Sequence, residues 1–86
     1  MAEQKVIIQN KTGLHARPAA LFVQKANQFS SDIFVVKGPK EVSAKSIMGV
    51  MSLGAGQGTE ILIKAHGDDA DEAIAALVEL LESLTD

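Results

Sequence analysis

Hydrophobic and polar positions change their period several times along this chain, and each change marks an element. "KVIIQN" is a short β-rich run with no room for a helix, closed by the turn residues of "NKTG", and it predicts a first strand over residues 4–9. From Ala16 to Gln28 the spacing turns helical: Ala19, Phe22, Val23 and Ala26 recur at three and four residues, with Gln24, Lys25 and Gln28 on other faces. "SSDIFVVKGPKEVSA" returns to β-branched and aromatic residues, breaks at Gly38 and Pro39 and resumes over 41–44, which is the pattern of a hairpin. Ser46 then precedes "IMGVM", read as one or two helical turns with Ile47, Val50 and Met51 on a buried side.

The glycines of "SLGAGQGTE" let the chain reverse before "EILIKAH" alternates as an interior strand. Ile61, Ile63 and Ala65 are sent to the core, and Leu62, Lys64 and His66 to the opposite face. In the last segment Asp69 is the expected N-cap, Glu72 completes a capping box, and Ile74, Leu77, Val78, Leu81 and Leu84 form one apolar stripe. The order is β-α-β-β-α-β-α. One apolar face per helix and half-wet strands favour an α+β, two-layer, open-faced β-sandwich, with a four-stranded antiparallel sheet and three helices on one face. Residues 1–86 are read as a single domain.

Composition narrows the function. With 86 residues, 47% of them hydrophobic, the chain supports one core with little stability to spare. It has no Cys, which excludes disulfides and thiolate-based metal or redox sites. No run approaches the roughly 20 apolar residues of a membrane span, so a cytoplasmic protein without membrane insertion is expected. Eight basic against eleven acidic residues give a net charge of −3 without a dense basic block, which argues against nucleic acid as a direct partner. The charges are polarised, however. Lys5, Lys11, Arg17, Lys25, Lys37, Lys40 and Lys45 precede the acidic "HGDDADEAIAALVELLESLTD", an arrangement that favours an acidic partner docking near the N-terminal half.

The unusual chemistry lies in "TGLHARPAA". His15 stands at the mouth of the first helix, with Ala16, Arg17 and Pro18 in its first turn. Proline is tolerated there because first-turn N–H groups have no intrahelical acceptor, and the free N–H groups of Ala16 and Arg17 become anion donors. Gly13 permits a close turn, and the small Ala16 leaves room around the imidazole. A phosphoryl group on His15 would meet the positive end of the helix and the Arg17 guanidinium. No carboxylate lies nearby in sequence to activate water against it. His66, at a strand end beside a turn, reads as structural or exposed. The two histidines, far apart and without a third ligand, define no metal site, and no cofactor is expected.

"GLHARPA" from Gly13 to Ala19, together with "KSIMGVMSLG" from Lys45 to Gly54, resembles the HPr family, the histidine-containing phosphocarriers of the bacterial sugar phosphotransferase system, over essentially the full chain. The resemblance implies that Nδ1 of His15 accepts a phosphoryl group from phosphorylated enzyme I, itself charged by phosphoenolpyruvate, and passes it to the IIA components of sugar permeases. Arg17 would pair with that group and Pro18 would set the helix opening. Transfer between several partners calls for an exposed His15 and a transient apolar patch, for which Ala20, Leu21, Ile47, Met48 and Met51 are candidates. The expected working state is a monomer.

Taken alone, Ser46 is only an N-cap. Its segment is similar to that of Gram-positive family members, in which this serine is phosphorylated by the ATP-dependent HPr kinase/phosphorylase and the product serves as corepressor with the catabolite control protein. Two rival classes stay open. One is a regulatory binding protein like the family's catabolite-repression paralogue, which lacks the active histidine. The other is a small phosphatase or acylphosphatase-like enzyme, which needs a positioned base or water; Asn10 and Thr12 are weak candidates for that role.

Overall fold

In the computed structural model, which describes residues 2–84, four strands form one antiparallel sheet: β1 (Ala2–Ile7), β2 (Asp32–Lys37), β3 (Lys40–Ser43) and β4 (Glu60–His66), in the spatial order β1-β4-β2-β3. The helices are α1 (Arg17–Ala26), α2 (Ile47–Ser52) and α3 (Ala70–Ser83), so the element order is the expected β-α-β-β-α-β-α. Strand β4 is interior, paired with β1 through Ala2↔Ala65 to Ile7↔Glu60 and with β2 through Asp32↔His66 to Val36↔Leu62. Period-two alternation sends Val6, Ile33, Val35, Ile61, Ile63 and Ala65 into the core. The other face carries Lys5, Phe34, Val36, Leu62 and Lys64, half-buried or wet, with Lys64 bridging to Glu41 at 2.8 Å.

All three helices cover the first face. Helix α1 buries the predicted stripe Ala19, Phe22, Val23 and Ala26, and α3 buries Ala70, Ala73, Ile74, Leu77 and Leu81. Phe22 is the largest fully buried side chain, and burying an aromatic or Leu side chain of this kind is worth about 1.5–3 kcal/mol.

Several expectations are corrected. The first strand runs over 2–7 rather than 4–9, because its ladder follows β4 to Ala65; Ile8 stays buried beyond it, its N–H donating to the Thr59 carbonyl at 2.9 Å. Helix α1 is shorter at both ends than the apolar spacing suggested, and Ala16 is its N-cap instead of its first turn. Val78 lies beside Leu77 at the edge of the α3 stripe and Leu84 falls past the last helical residue, so both sit at the core's margin, and Ile47, the first residue of α2, is exposed. The capping box of α3 does not form. Asp69 sits at the N-cap position but makes no capping bond, because its carboxylate turns to the loop before β2. There it accepts from the Ser30 N–H at 2.9 Å, the Ser31 N–H at 3.0 Å and the Ser31 hydroxyl.

Candidate functional site

The loop from Asn10 to Ala16 connects β1 to α1, and its shape follows from three residues. Leu14 is 1% exposed and plugs into the core beside the buried Gly13, so the loop is pinned at its middle while Lys11, Thr12, His15 and Ala16 stay in solvent. Gly13 has φ +63°, and a Cβ there would overlap the carbonyl of Ala55; only glycine combines that dihedral with that approach. The approach is made fast by the Leu14 N–H, which donates to the Ala55 carbonyl at 2.8 Å.

Beyond this pin the backbone is strained. Ala16 has φ 48° and ψ −114°, and is the one non-glycine residue with positive φ among those described. A residue held in such a sparsely populated region costs on the order of 1–3 kcal/mol and persists only where its surroundings over-determine it. Here the buried Leu14 and Pro18 hold the chain on either side. The N–H groups of Ala16 and Arg17 make no hydrogen bond among the described residues, and no side chain caps α1. His15, Ala16 and Arg17 are exposed, and the Arg17 guanidinium has no ion-pair partner among the described residues.

His15 borders a shallow cavity of about 180 Å³, shared with Thr12, Leu14, Met51, Gly54, Ala55 and Gly56. Met51 thus comes to the histidine from α2. On the outer side of the same short helix Met48 is 83% exposed and Ile47 46% exposed, while Ala20 and Leu21 of α1 are half-buried. By sequence Gly54 and Gly56 signal only a chain reversal, yet Gly54–Gly56 form a wall of this cavity. The signal available was the small-residue run itself, which allows two backbones to touch.

Ser46 is exposed and caps α2, its Oγ accepting from the Gly49 N–H at 3.1 Å. The opposite end of α2 is held by lysines from the β2–β3 hairpin. Lys40 Nζ donates to the Ser52 carbonyl at 2.7 Å and Lys37 Nζ to the Leu53 carbonyl at 2.9 Å, placing positive charge at the helix's negative end. His66 lies on the far end of β4, opposite Asp32 in register, away from this loop. Among the described residues there is no group of three His, Asp or Glu side chains placed to hold a metal. No helix among them is long and apolar enough to cross a membrane.

The arrangement offers an exposed imidazole, unengaged N–H donors at a helix mouth, a free guanidinium and a ring of apolar contact residues. These are the parts needed to receive, stabilise and hand over a small anion at an open surface. Comparison with known proteins adds to this. The family profile described as "PTS HPr component phosphorylation site" matches residues 2–83. The HPr-like protein Crh of Bacillus subtilis (strain 168) is 54% identical over 82 residues, covering 95% of this chain and 96% of its own. The crystal structure of HPr-C-His from Thermoanaerobacter tengcongensis is 63% identical and superposes with a TM-score of 0.95, over 96% of this chain and 93% of that one. An HPr dimer from the same organism, also 63% identical, superposes with a TM-score of 0.78 over 96% of this chain and 95% of that one.

Proposed function

The chain belongs to the HPr family of the phosphotransferase system, and from that premise we propose that it is a phosphocarrier whose acceptor is His15. The observation that carries the reading is the exposed imidazole at the strained mouth of α1, beside the unengaged N–H groups of Ala16 and Arg17 and the unpaired Arg17 guanidinium. The lone pair of Nδ1 attacks phosphorus as the bond to the donor nitrogen of enzyme I breaks, and that electron pair returns to the donor. The phosphoryl oxygens then accept from the Ala16 and Arg17 N–H groups and from the guanidinium. Pro18 keeps the first turn open to them. Transfer to a IIA domain runs the same step with His15 as donor. One group is carried per cycle, so the chain is a stoichiometric carrier and not an enzyme in its own right.

The docking surface is formed by the exposed Ile47 and Met48 of α2 with the half-buried Met51 and, on α1, Ala20 and Leu21. Methionine adapts its shape to several partners in turn, which suits a carrier that meets enzyme I and IIA domains alternately. The carrier works in the cytoplasm as a monomer. The dimer described for the relative from Thermoanaerobacter tengcongensis makes light scattering across the working concentration range the check on that state. Ser46 is the regulatory site, modified by HPr kinase/phosphorylase and read by a catabolite control protein.

The direct test is incubation with phosphoenolpyruvate and enzyme I, followed by peptide mapping without acid. An acid-labile phosphate on His15 is expected, absent from His15→Ala and retained in His66→Ala. Phosphate surviving in His15→Ala would overturn the assignment. A second reading, a regulatory binding protein of carbon catabolite repression acting mainly through Ser46 phosphorylation, draws on the likeness to Crh. It predicts modification by the kinase with ATP but no transfer through His15.

A further inference from the structure

Only Asn10 and Ser31 are buried among the described polar side chains, and Asn10, 5% exposed, lies at the base of the His15 loop. Its Nδ2 donates to the Gly13 carbonyl at 3.0 Å and more distantly to Thr12 Oγ1 at 3.5 Å, while the Gly13 N–H returns to the Asn10 carbonyl at 3.2 Å. The Gly13 carbonyl and the Leu14 N–H belong to one peptide plane. That plane is therefore held at both ends, its oxygen by Asn10 Nδ2 and its nitrogen by the Ala55 carbonyl, one residue before His15. Two opposed hydrogen bonds on a rigid plane fix its tilt, which neither does alone.

The other half of the amide is left over: Asn10 Oδ1 is buried and finds no donor among the described residues. An unpaired buried acceptor is a cost to folding, and an apolar residue of the same shape would avoid it. The bond that holds the Gly13–Leu14 peptide is the shorter and better-formed of the two hydrogen bonds this side chain makes among the described residues.

We propose that Asn10 is a positioning residue for His15, fixing the Gly13–Leu14 peptide so that the imidazole is presented to the phosphoryl donor in one orientation. The inference rests on the phosphocarrier reading above. Its test uses Asn10→Leu, which keeps the branched shape in a larger side chain and removes both donor and orphan acceptor, and Asn10→Ser, which restores a hydroxyl donor near Gly13. Asn10→Ala, which only deletes atoms, takes the place of Asn10→Leu if the larger side chain folds poorly.

Asn10→Leu removes the orphan acceptor but leaves the Gly13 carbonyl without its donor, so its melting temperature should shift little or fall modestly. Its Leu14 amide should exchange with solvent faster. The kcat of enzyme I with this chain as acceptor should fall roughly two- to tenfold, the worth of one net hydrogen bond, at little-changed KM. Asn10→Ser should recover part of the rate. Unchanged kcat overturns the positioning role, whether or not Leu14 exchange quickens. A wild-type chain that takes no phosphoryl group overturns the carrier reading and this role with it, so the two failures are told apart by the wild-type control.

Discussion

The Leu14 N–H donates to the Ala55 carbonyl at 2.8 Å, and through that bond the loop bearing His15 is fastened to the segment between α2 and β4. The histidine and Met51 of α2 thereby line one cavity, although they lie in separate stretches of sequence. Lys37 and Lys40 tie the far end of α2 to the hairpin, linking the wall facing His15 to the sheet.

Gly13 is the weakest point of that junction to any added atom. Gly13→Ala must force a left-handed dihedral on alanine and drive a methyl group into the Ala55 carbonyl. We expect a loss of about 2 kcal/mol or more, with the Leu14–Ala55 bond broken before the core unfolds. Urea unfolding combined with amide exchange at Leu14 measures both. A variant with wild-type midpoint and wild-type Leu14 protection would contradict the geometry.

Arg17 is exposed and forms no ion pair among the described residues. Arg17→Ala should leave the melting transition within about 0.5 kcal/mol of wild type, as for an exposed side chain without partners, yet slow phosphoryl acceptance about ten- to a hundredfold. Arg17→Lys should recover part of the rate, since an ammonium supplies charge without the planar fork. Normal transfer by both variants with collapsed stability would make Arg17 structural.

Most of the fold was legible because it is written in local periodicity. The stripe of α1, the alternation of β4 and the cap at Ser46 each need only a few neighbouring residues, and each formed. What was not legible depends on partners remote in sequence. Asp69 reads as half of a capping box with Glu72, yet its carboxylate is taken by Ser30 and Ser31, a competition no local pattern reveals. Likewise "HARP" announces the chemistry of His15 and Arg17 but not the strain at Ala16 or the wall at Gly54–Gly56. Those appear only when Ala55 is brought against Gly13.

That same Asp69 cluster makes stability depend on acid. The Ser31 hydroxyl, then the Ser30 N–H, hold the Asp69 carboxyl down at about 2, below its ordinary value near 3.8. Because the folded-state pKa is depressed, its stabilisation is fully present above the unfolded pKa. It is lost as pH falls from about 4 toward 2. Urea midpoints of the wild type should drop through that window more steeply than those of Asp69→Asn, which cannot titrate there. Ser31→Ala should raise the Asp69 pKa toward its unfolded value, so that the drop becomes smaller and ends at a higher pH. Parallel curves for wild type and Asp69→Asn would show that the cluster does not couple to folding.

Ser46 joins the two ends of the regulatory argument, because the same oxygen that caps α2 is the one a kinase would modify. Ser46→Ala removes the acceptor for the Gly49 N–H and should cost about 1 kcal/mol while leaving transfer through His15 intact. Ser46→Asp keeps a capping oxygen and adds one negative charge at the edge of the docking surface, beside the exposed Ile47 and Met48. A phosphate adds about −1.5 to −2 charges there. If enzyme I presents acidic groups to the basic N-terminal half of this chain, the added charge repels it and must be desolvated on docking. Initial rates of phosphoryl acceptance should then fall in the order wild type, Ser46→Asp, Ser46-phosphorylated chain, with the fold unchanged by circular dichroism. The deficit should shrink as salt rises, since exposed charges are screened over about 8–10 Å at physiological ionic strength. An equal deficit at low and high salt would point to a steric block instead, and unchanged transfer by fully Ser46-phosphorylated protein would remove the coupling altogether.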